Sequence, residues 1–344
     1  MKIGLLTYSY SCNYGAVLQC YATCKILQEL GHDVEIISVK QEHQDFLRKI
    51  VFSIKNSKFN RFMKDYYPKR TEVFEDIVAL KAATFDYDIL LVGSDQVWNP
   101  NISGALALAF FLDFGKTSMK RISYASSFGT DKWDETNSLL SQEVNKALHN
   151  FHALSVREST GVRILKEQFG LLSQRVLDPT MLLDDYSGLQ VDIHNNNEII
   201  CYLLNRTPLQ LLKAINISKK FNQKPRMIST IHYHRGFKYT MPLSINEWLS
   251  YISTAKFVIT DSFHGLVFSL LFHKQFIVIT PNNGLNSRLK DLIELVGLND
   301  RFYNENDEID FKALINNTIN YELVDPIISD WRQKSLDYLI NSIS

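Results

Sequence analysis

The chain has no surplus of charge: 37 Lys plus Arg stand against 37 Asp plus Glu in 344 residues, and the basic positions are scattered. A protein that tracks a phosphate backbone gathers its cations into a patch or stripe, so nucleic acid is not an expected partner. Cysteine is scarce. Cys12, Cys20, Cys24 and Cys201 have neither CxxC spacing nor the density of a disulfide scaffold, which suits a reducing compartment. Cys20 and Cys24 share a helix face but have no nearby His or third Cys, so they read as small buried hydrophobes rather than a metal pair. Long apolar runs are missing too. Met1–Thr7 meets Ser, Cys and Asn too soon for a signal-peptide core, and Gly265–Thr280 is broken by His273, Lys274 and Gln275 and cannot cross a bilayer. The expected location is cytoplasmic, with association at the inner face of the membrane left open. The GxGxxG fingerprint is absent as well, which disfavours a nicotinamide cofactor.

What is present is ordinary globular composition, 45% hydrophobic and 22% charged, in a chain long enough for two domains. Lys2–Tyr8 reads as a strand, Gly15–Leu30 as a helix stopped by Gly31, and Asp33–Val39 as the next strand. Helical patterns at Gln44–Asp65 and Thr71–Thr84 precede the apolar strand Ile89–Val92. Further strands are expected at Arg121–Ala125, Ala153–Val156 and Arg175–Leu177, with helices at Glu135–Asn150 and Ser159–Phe169. Turn formers are densest over Asp178–Asn197, which places the domain boundary there. Strands Glu198–Leu203, Pro225–Ser229, Phe257–Thr260 and Phe276–Ile279 then alternate with helices. The expected division is 1–185, with Arg157; 195–325, with His264 and Arg288; and a terminal helix, 326–344, packing back on the first domain. Alternating strands and helices mean parallel sheets covered on both faces, with chemistry in the loops at the carboxyl ends of the strands.

Five such loops carry candidate residues. Ser11-Cys12-Asn13-Tyr14-Gly15, with Gln19 one turn on, offers helix N-terminal N–H groups to an anion or a sugar hydroxyl; the alternative is that Asn13 only caps the helix. Gly93-Ser94-Asp95-Gln96-Val97-Trp98 suits substrate positioning with Trp98 stacked on a sugar ring, or else holds ordinary caps and a core indole. Arg157, at a strand end and a helix start, can fork onto a phosphate or carboxylate, or pair with Glu158 or another acid. Thr260-Asp261-Ser262-Phe263-His264-Gly265 places an imidazole at the mouth of a helix beside Asp261 and Ser262, with Gly265 allowing close approach of a ligand; His264 is the candidate acid. Arg288 follows Thr280-Pro281-Asn282-Asn283-Gly284, either as a second guanidinium for the same crevice or as a solvated helix residue. Two guanidiniums suit a ligand with two anionic ends. Asp86-Tyr87-Asp88 precedes its strand and Asp184-Asp185 has no His or Glu company, so no metal site is expected.

Together these segments resemble the polysaccharide pyruvyl transferase family, along nearly the whole chain: Lys-Ile-Gly-Leu-Leu-Thr at the start, Asn13-Tyr14-Gly15-Ala16-Val17-Leu18-Gln19, Gly93-Ser94-Asp95-Gln96-Val97-Trp98-Asn99, Ser155-Val156-Arg157-Glu158-Ser159, Asp178-Pro179-Thr180 and Thr260-Asp261-Ser262-Phe263-His264-Gly265. The resemblance implies two Rossmann-like doubly wound domains facing a cleft (GT-B-like). It implies transfer of pyruvate from phosphoenolpyruvate onto two hydroxyls of one sugar of a surface polysaccharide, the acceptor lipid-linked or not, with a cyclic ketal formed and phosphate released. No cofactor is implied beyond that donor. By the same analogy Arg157 and Arg288 hold the donor and His264 is the acid, with Asn13, Tyr14, Gly15, Gln19, Ser94, Asp95, Trp98, Ser262 and Gly265 about the substrates. The competing readings are a glycosyltransferase using a nucleotide sugar and a non-catalytic module that binds a phosphorylated metabolite.

Overall fold

The computed structural model describes the chain except residues 10–11, 41–48, 135, 195–196, 229–232 and 283–285, and the side chains of 49–53. The described residues form two compact units: 1–44 with 65–183 and 329–344, and 45–64 with 184–328.

In the first unit, five parallel strands, β1 (Lys2–Leu6), β2 (Asp33–Val39), β3 (Lys69–Phe74), β4 (Ile89–Val92) and β5 (Lys120–Ser123), lie in the order β3-β2-β1-β4-β5. A parallel pair, β6 (Ser155–Val156) and β7 (Gln174–Arg175), lies beyond β5, which it meets through an Ile122–Ala153 bridge. β4, beside the central strand, is apolar from end to end, Ile-Leu-Leu-Val and buried throughout, and β1 is buried from Ile3 to Leu6, as helices on both faces require. Helix Tyr14–Glu29 starts where Asn13 accepts from the Gly15 and Ala16 amides, and it buries Val17, Leu18 and Leu27. The helix expected over Thr71–Thr84 is corrected: 69–74 is an edge strand, and only Ile77–Ala82 is helical, starting where Asp76 accepts from the Ala79 amide at 2.8 Å. Charged residues on both faces of β3 suit its place at the edge of the sheet and hide a strand from pattern reading.

The second unit repeats the plan with β8 (Ile199–Tyr202), β9 (Arg226–Met227), β10 (Phe257–Thr260), β11 (Phe276–Thr280) and β12 (Phe302–Asn304), all parallel, in the order β12-β11-β10-β8-β9. Its core gathers Cys201, Ile217, Phe237, Ile259, Ile277 and Ile279. Helix Lys49–Tyr66 contributes 49–64 to this unit although its sequence lies inside the first, and Lys58 binds Glu247 of helix Ile245–Ser253 at 2.8 Å. The last helix, Tyr321–Ile343, returns 329–344 to the first unit. There the Leu177 amide donates to Ser335 Oγ (2.9 Å), and the Tyr338 hydroxyl donates to the Ser123 carbonyl (3.0 Å).

Candidate active site

In a doubly wound sheet a crevice opens at the carboxyl edge wherever the strand order reverses, because the loops on either side leave in opposite directions. The first sheet reverses between β1 and β4, the second between β8 and β10. The segments with Asn13 and Asp95 leave β1 and β4, and the segment with His264 leaves β10, so three of the expected loops stand at switch points.

In the first unit these loops are braced from within. Gln19 is wholly enclosed, and its amide donates to Thr7 Oγ1 and the Ala16 carbonyl, both at 2.9 Å. Tyr14 and Gly15 are buried with it, and Asn13 is exposed. Ser94 is enclosed too, its hydroxyl donating to Asp178 Oδ2 at 2.8 Å. Trp98 is corrected from a sugar-stacking ring to a core residue: it has no exposed surface, stacks on Phe111 (centroids 5.5 Å apart, planes 6° apart) and donates its indole N–H to the Phe110 carbonyl at 3.0 Å. A ring packed against Phe111, Phe128 and Phe151 gains more from burial than from a wet loop.

Arg157 is corrected as well. Its guanidinium, 1% exposed, donates to Asp178 Oδ2 (2.8 Å), Asp95 Oδ1 (3.2 Å) and Ser94 Oγ (3.3 Å), with Glu158 Oε2 3.8 Å from Nε. Burial by itself would pull the guanidinium pKa down; the charges of Asp95, Asp178 and Glu158 outweigh it and hold the group above its ordinary value. One cation among three carboxylates is net negative, so Arg157 is a bracket for the loops and not an open clamp for a phosphate. Asp178, itself enclosed, is the partner that sequence reading left without a role; it sits in an Asp-Pro turn whose Oδ1 accepts from Thr180.

Asp95 is the member that reaches solvent. Its backbone is left-handed (φ 74°), a conformation that costs an L-residue roughly 1–2 kcal/mol. It is held there by Arg157 and by the Ser127 amide, which donates to its carbonyl at 2.9 Å. It lines a cavity of about 460 Å³ with Tyr8, Asn13, Lys40, Glu75 and Phe110. Tyr8, Lys40, Glu75 and Phe110 were not singled out by motif, though the first three lie in or beside the loops that follow β1, β2 and β3.

In the second unit, Asp261 is a structural anchor. Its oxygens accept from the Leu204 amide (2.6 Å), the Asn205 amide (3.0 Å) and side chain (2.8 Å), and Gln210 (3.1 Å), tying the loop after β10 to the loop after β8. Ser262 is the N-cap of helix Phe263–Leu271, accepting from the Gly265 amide at 3.4 Å. Gly265 is corrected from a point of ligand approach to a point of helix–strand packing, because a Cβ there would stand 2.2 Å from Thr260 Oγ1 and 3.0 Å from the Tyr202 ring. His264 follows in the first turn, 6% exposed, its ring edge-on to Phe263 at 5.3 Å. Arg288, half-buried, occupies the same second position of helix Ser287–Leu295, which follows β11, the neighbour of β10. The two helices touch, so His264 and Arg288 sit in the opening turns of adjacent helices, where unpaired amides and the dipole favour an anion. Among the described residues no three His, Cys, Asp or Glu side chains are grouped to hold a metal ion.

The sequence model described as polysaccharide pyruvyl transferase matches residues 13–283, more than three quarters of the chain. The chain belongs to the polysaccharide pyruvyl transferase family. The matched span of this transferase family runs from Asn13 through Arg157 and His264 and stops short of Arg288. No curated protein matches the chain. Similar solved structures include the UDP-GlcNAc 2-epimerase of Methanocaldococcus jannaschii in complex with UDP-GlcNAc and UDP (TM-score 0.53, 13% identity, 100% of this chain and 99% of that one). Others are a UDP-N-acetylglucosamine 2-epimerase from Listeria monocytogenes (0.53, 11%, 95% and 90%) and an α-glucosyltransferase in complex with UDP and DNA (0.52, 13%, 98% and 95%). At these identities the likeness establishes architecture alone: the chain has a GT-B-like fold of two Rossmann-like units. Among the described residues no helix is long and apolar enough to cross a membrane.

Proposed function

We propose that the protein transfers pyruvate from phosphoenolpyruvate onto two hydroxyls of one sugar in a surface polysaccharide or its lipid-linked precursor, forming a cyclic ketal and releasing phosphate. The observation that supports this reading is that His264 and Arg288 each occupy the first turn of one of two neighbouring helices, an imidazole and a guanidinium beside amides that favour an anion. Phosphoenolpyruvate has two anionic ends and one basic carbon. Arg288 and the helix amides hold an anionic end, and the imidazolium of His264 gives its proton to the enol methylene. The second carbon then carries oxocarbenium character. A sugar hydroxyl adds there and yields its proton, phosphate leaves with the C–O electron pair, and the neighbouring hydroxyl closes the ring and yields the second proton. One of these protons restores His264; the other leaves with phosphate. Arg157 acts at one remove, by fixing Asp95 at the cavity.

The test is to incubate the chain with phosphoenolpyruvate and a panel of glycosides and weigh the products. A glycoside heavier by a pyruvate ketal supports the reading. A glycoside heavier by a hexose, formed only with a nucleotide sugar, gives the site to a glycosyltransferase. Tight phosphoenolpyruvate binding without any product makes the chain a binding module.

A further inference from the structure

We propose that the cavity in the first unit is the acceptor's seat, and that its lining selects an uncharged sugar over one bearing a carboxylate or phosphate. The word acceptor rests on the proposed reaction; the selectivity rests on the cavity itself. Its volume of about 460 Å³ lies in the range of small-molecule sites, and it opens at the β1/β4 switch point, where such ligands settle.

One wall is apolar, built from Leu106 and the rings of Tyr8 and Phe110, whose centroids are 4.9 Å apart. The face of a pyranose that presents C–H bonds packs against such a wall. Beside it three carboxylates, those of Asp95, Glu75 and Asp76, also line the cavity. Asp95 uses Oδ1 for the Gln96 amide (2.9 Å) and Arg157 (3.2 Å), and among the described residues its Oδ2 has no partner. Glu75 is joined to Lys40, and Asp76 spends one oxygen on the Ala79 amide. Among the described lining residues three carboxylates stand against one ammonium, and Arg157 behind Asp95 is shared with Asp178 and Glu158, so the described lining is negative. A carboxylate can only accept, a sugar hydroxyl can donate, and an anionic substituent brings neither a donor nor relief of charge. Charge thus sorts the two substrates: the anionic donor goes to the helix N-termini of the second unit, the neutral polyol to the acidic cavity of the first.

The experiment is ligand-observed NMR on the whole chain without phosphoenolpyruvate, comparing methyl galactoside with methyl galacturonide and methyl glucoside with methyl glucuronide. At least one neutral glycoside is expected to bind about tenfold tighter than its uronide, the scale that a few like charges at close range can supply. Glu75→Gln, on the exposed rim, frees Lys40 and should narrow that ratio to about threefold or less with the circular dichroism spectrum unchanged. Asp95→Asn should weaken the neutral glycoside. Uronides binding as well as neutral partners, a ratio unmoved by Glu75→Gln, or no glycoside binding at all would each overturn the proposal. Neutral binding in a chain that releases no phosphate would leave this inference standing and sink the reaction instead.

Discussion

Replacing Arg157 with Met separates a bracket from a clamp. The substitution keeps most of the side chain's volume and removes the cation from Asp178, which is wholly enclosed, and from Glu158, which is 1% exposed. Breaking a buried pair by deleting one partner costs about 3–5 kcal/mol, because the carboxylates left behind are neither solvated nor paired. In a unit of this size 1 kcal/mol shifts Tm by about 2–4 °C, so the expected loss is about 6–20 °C. Calorimetry on the purified chain reads it directly, and adding Asp178→Asn to the Arg157→Met background should recover part of the loss by removing the orphaned charge. An unchanged Tm accompanied by a large rise in KM for phosphoenolpyruvate would refute the reasoning and restore Arg157 as a donor clamp.

Gly265→Ala should destabilise the second unit by about 1–3 kcal/mol, since the new Cβ meets Thr260 Oγ1 and the Tyr202 ring; an unaltered urea midpoint would contradict that packing. Glu198 provides a pH test. Burial would raise its pKa, but Arg226 and Lys238 outweigh burial and hold it below the ordinary carboxylate range. A depressed folded pKa gives stability that is present above the unfolded value, about 4.3, and lost as pH falls through the folded one. Glu198→Gln should therefore lower stability at neutral pH and flatten its decline below about pH 4, whereas parallel pH–stability curves for the two proteins would refute the linkage.

Much of the fold was legible because the sheet interiors announce themselves. Ile89–Val92, Phe257–Thr260 and Phe276–Ile279 are continuous apolar runs that end in polar turns, and the structure has strands at each. β3 was not legible, since an edge strand tolerates Lys69, Arg70 and Glu72 and needs no apolar face. Nor does an amphipathic pattern name its partner, so nothing in 49–64 tells the reader that the helix belongs with a unit 120 residues downstream, at Asp184 onward. The site divided along the same line. Motifs located the loops, but whether a loop residue faces a ligand or its own fold depends on partners far away in sequence. Arg157 meets Asp95, 62 residues earlier, and Asp178, 21 later; Trp98 meets Phe111, Phe128 and Phe151. The cavity's Lys40, Glu75 and Asp76 were invisible for the opposite reason, being ordinary surface residues until the topology gathers them.

The most direct test is phosphate release from phosphoenolpyruvate, followed with and without a glycoside that the chain binds, for the native protein and for His264→Gln. The expected result is release that requires the glycoside and falls by at least about a hundredfold in the variant, the scale of a lost general acid. Release that continues without a sugar, or that His264→Gln leaves intact, would contradict the assignment of the proton to His264.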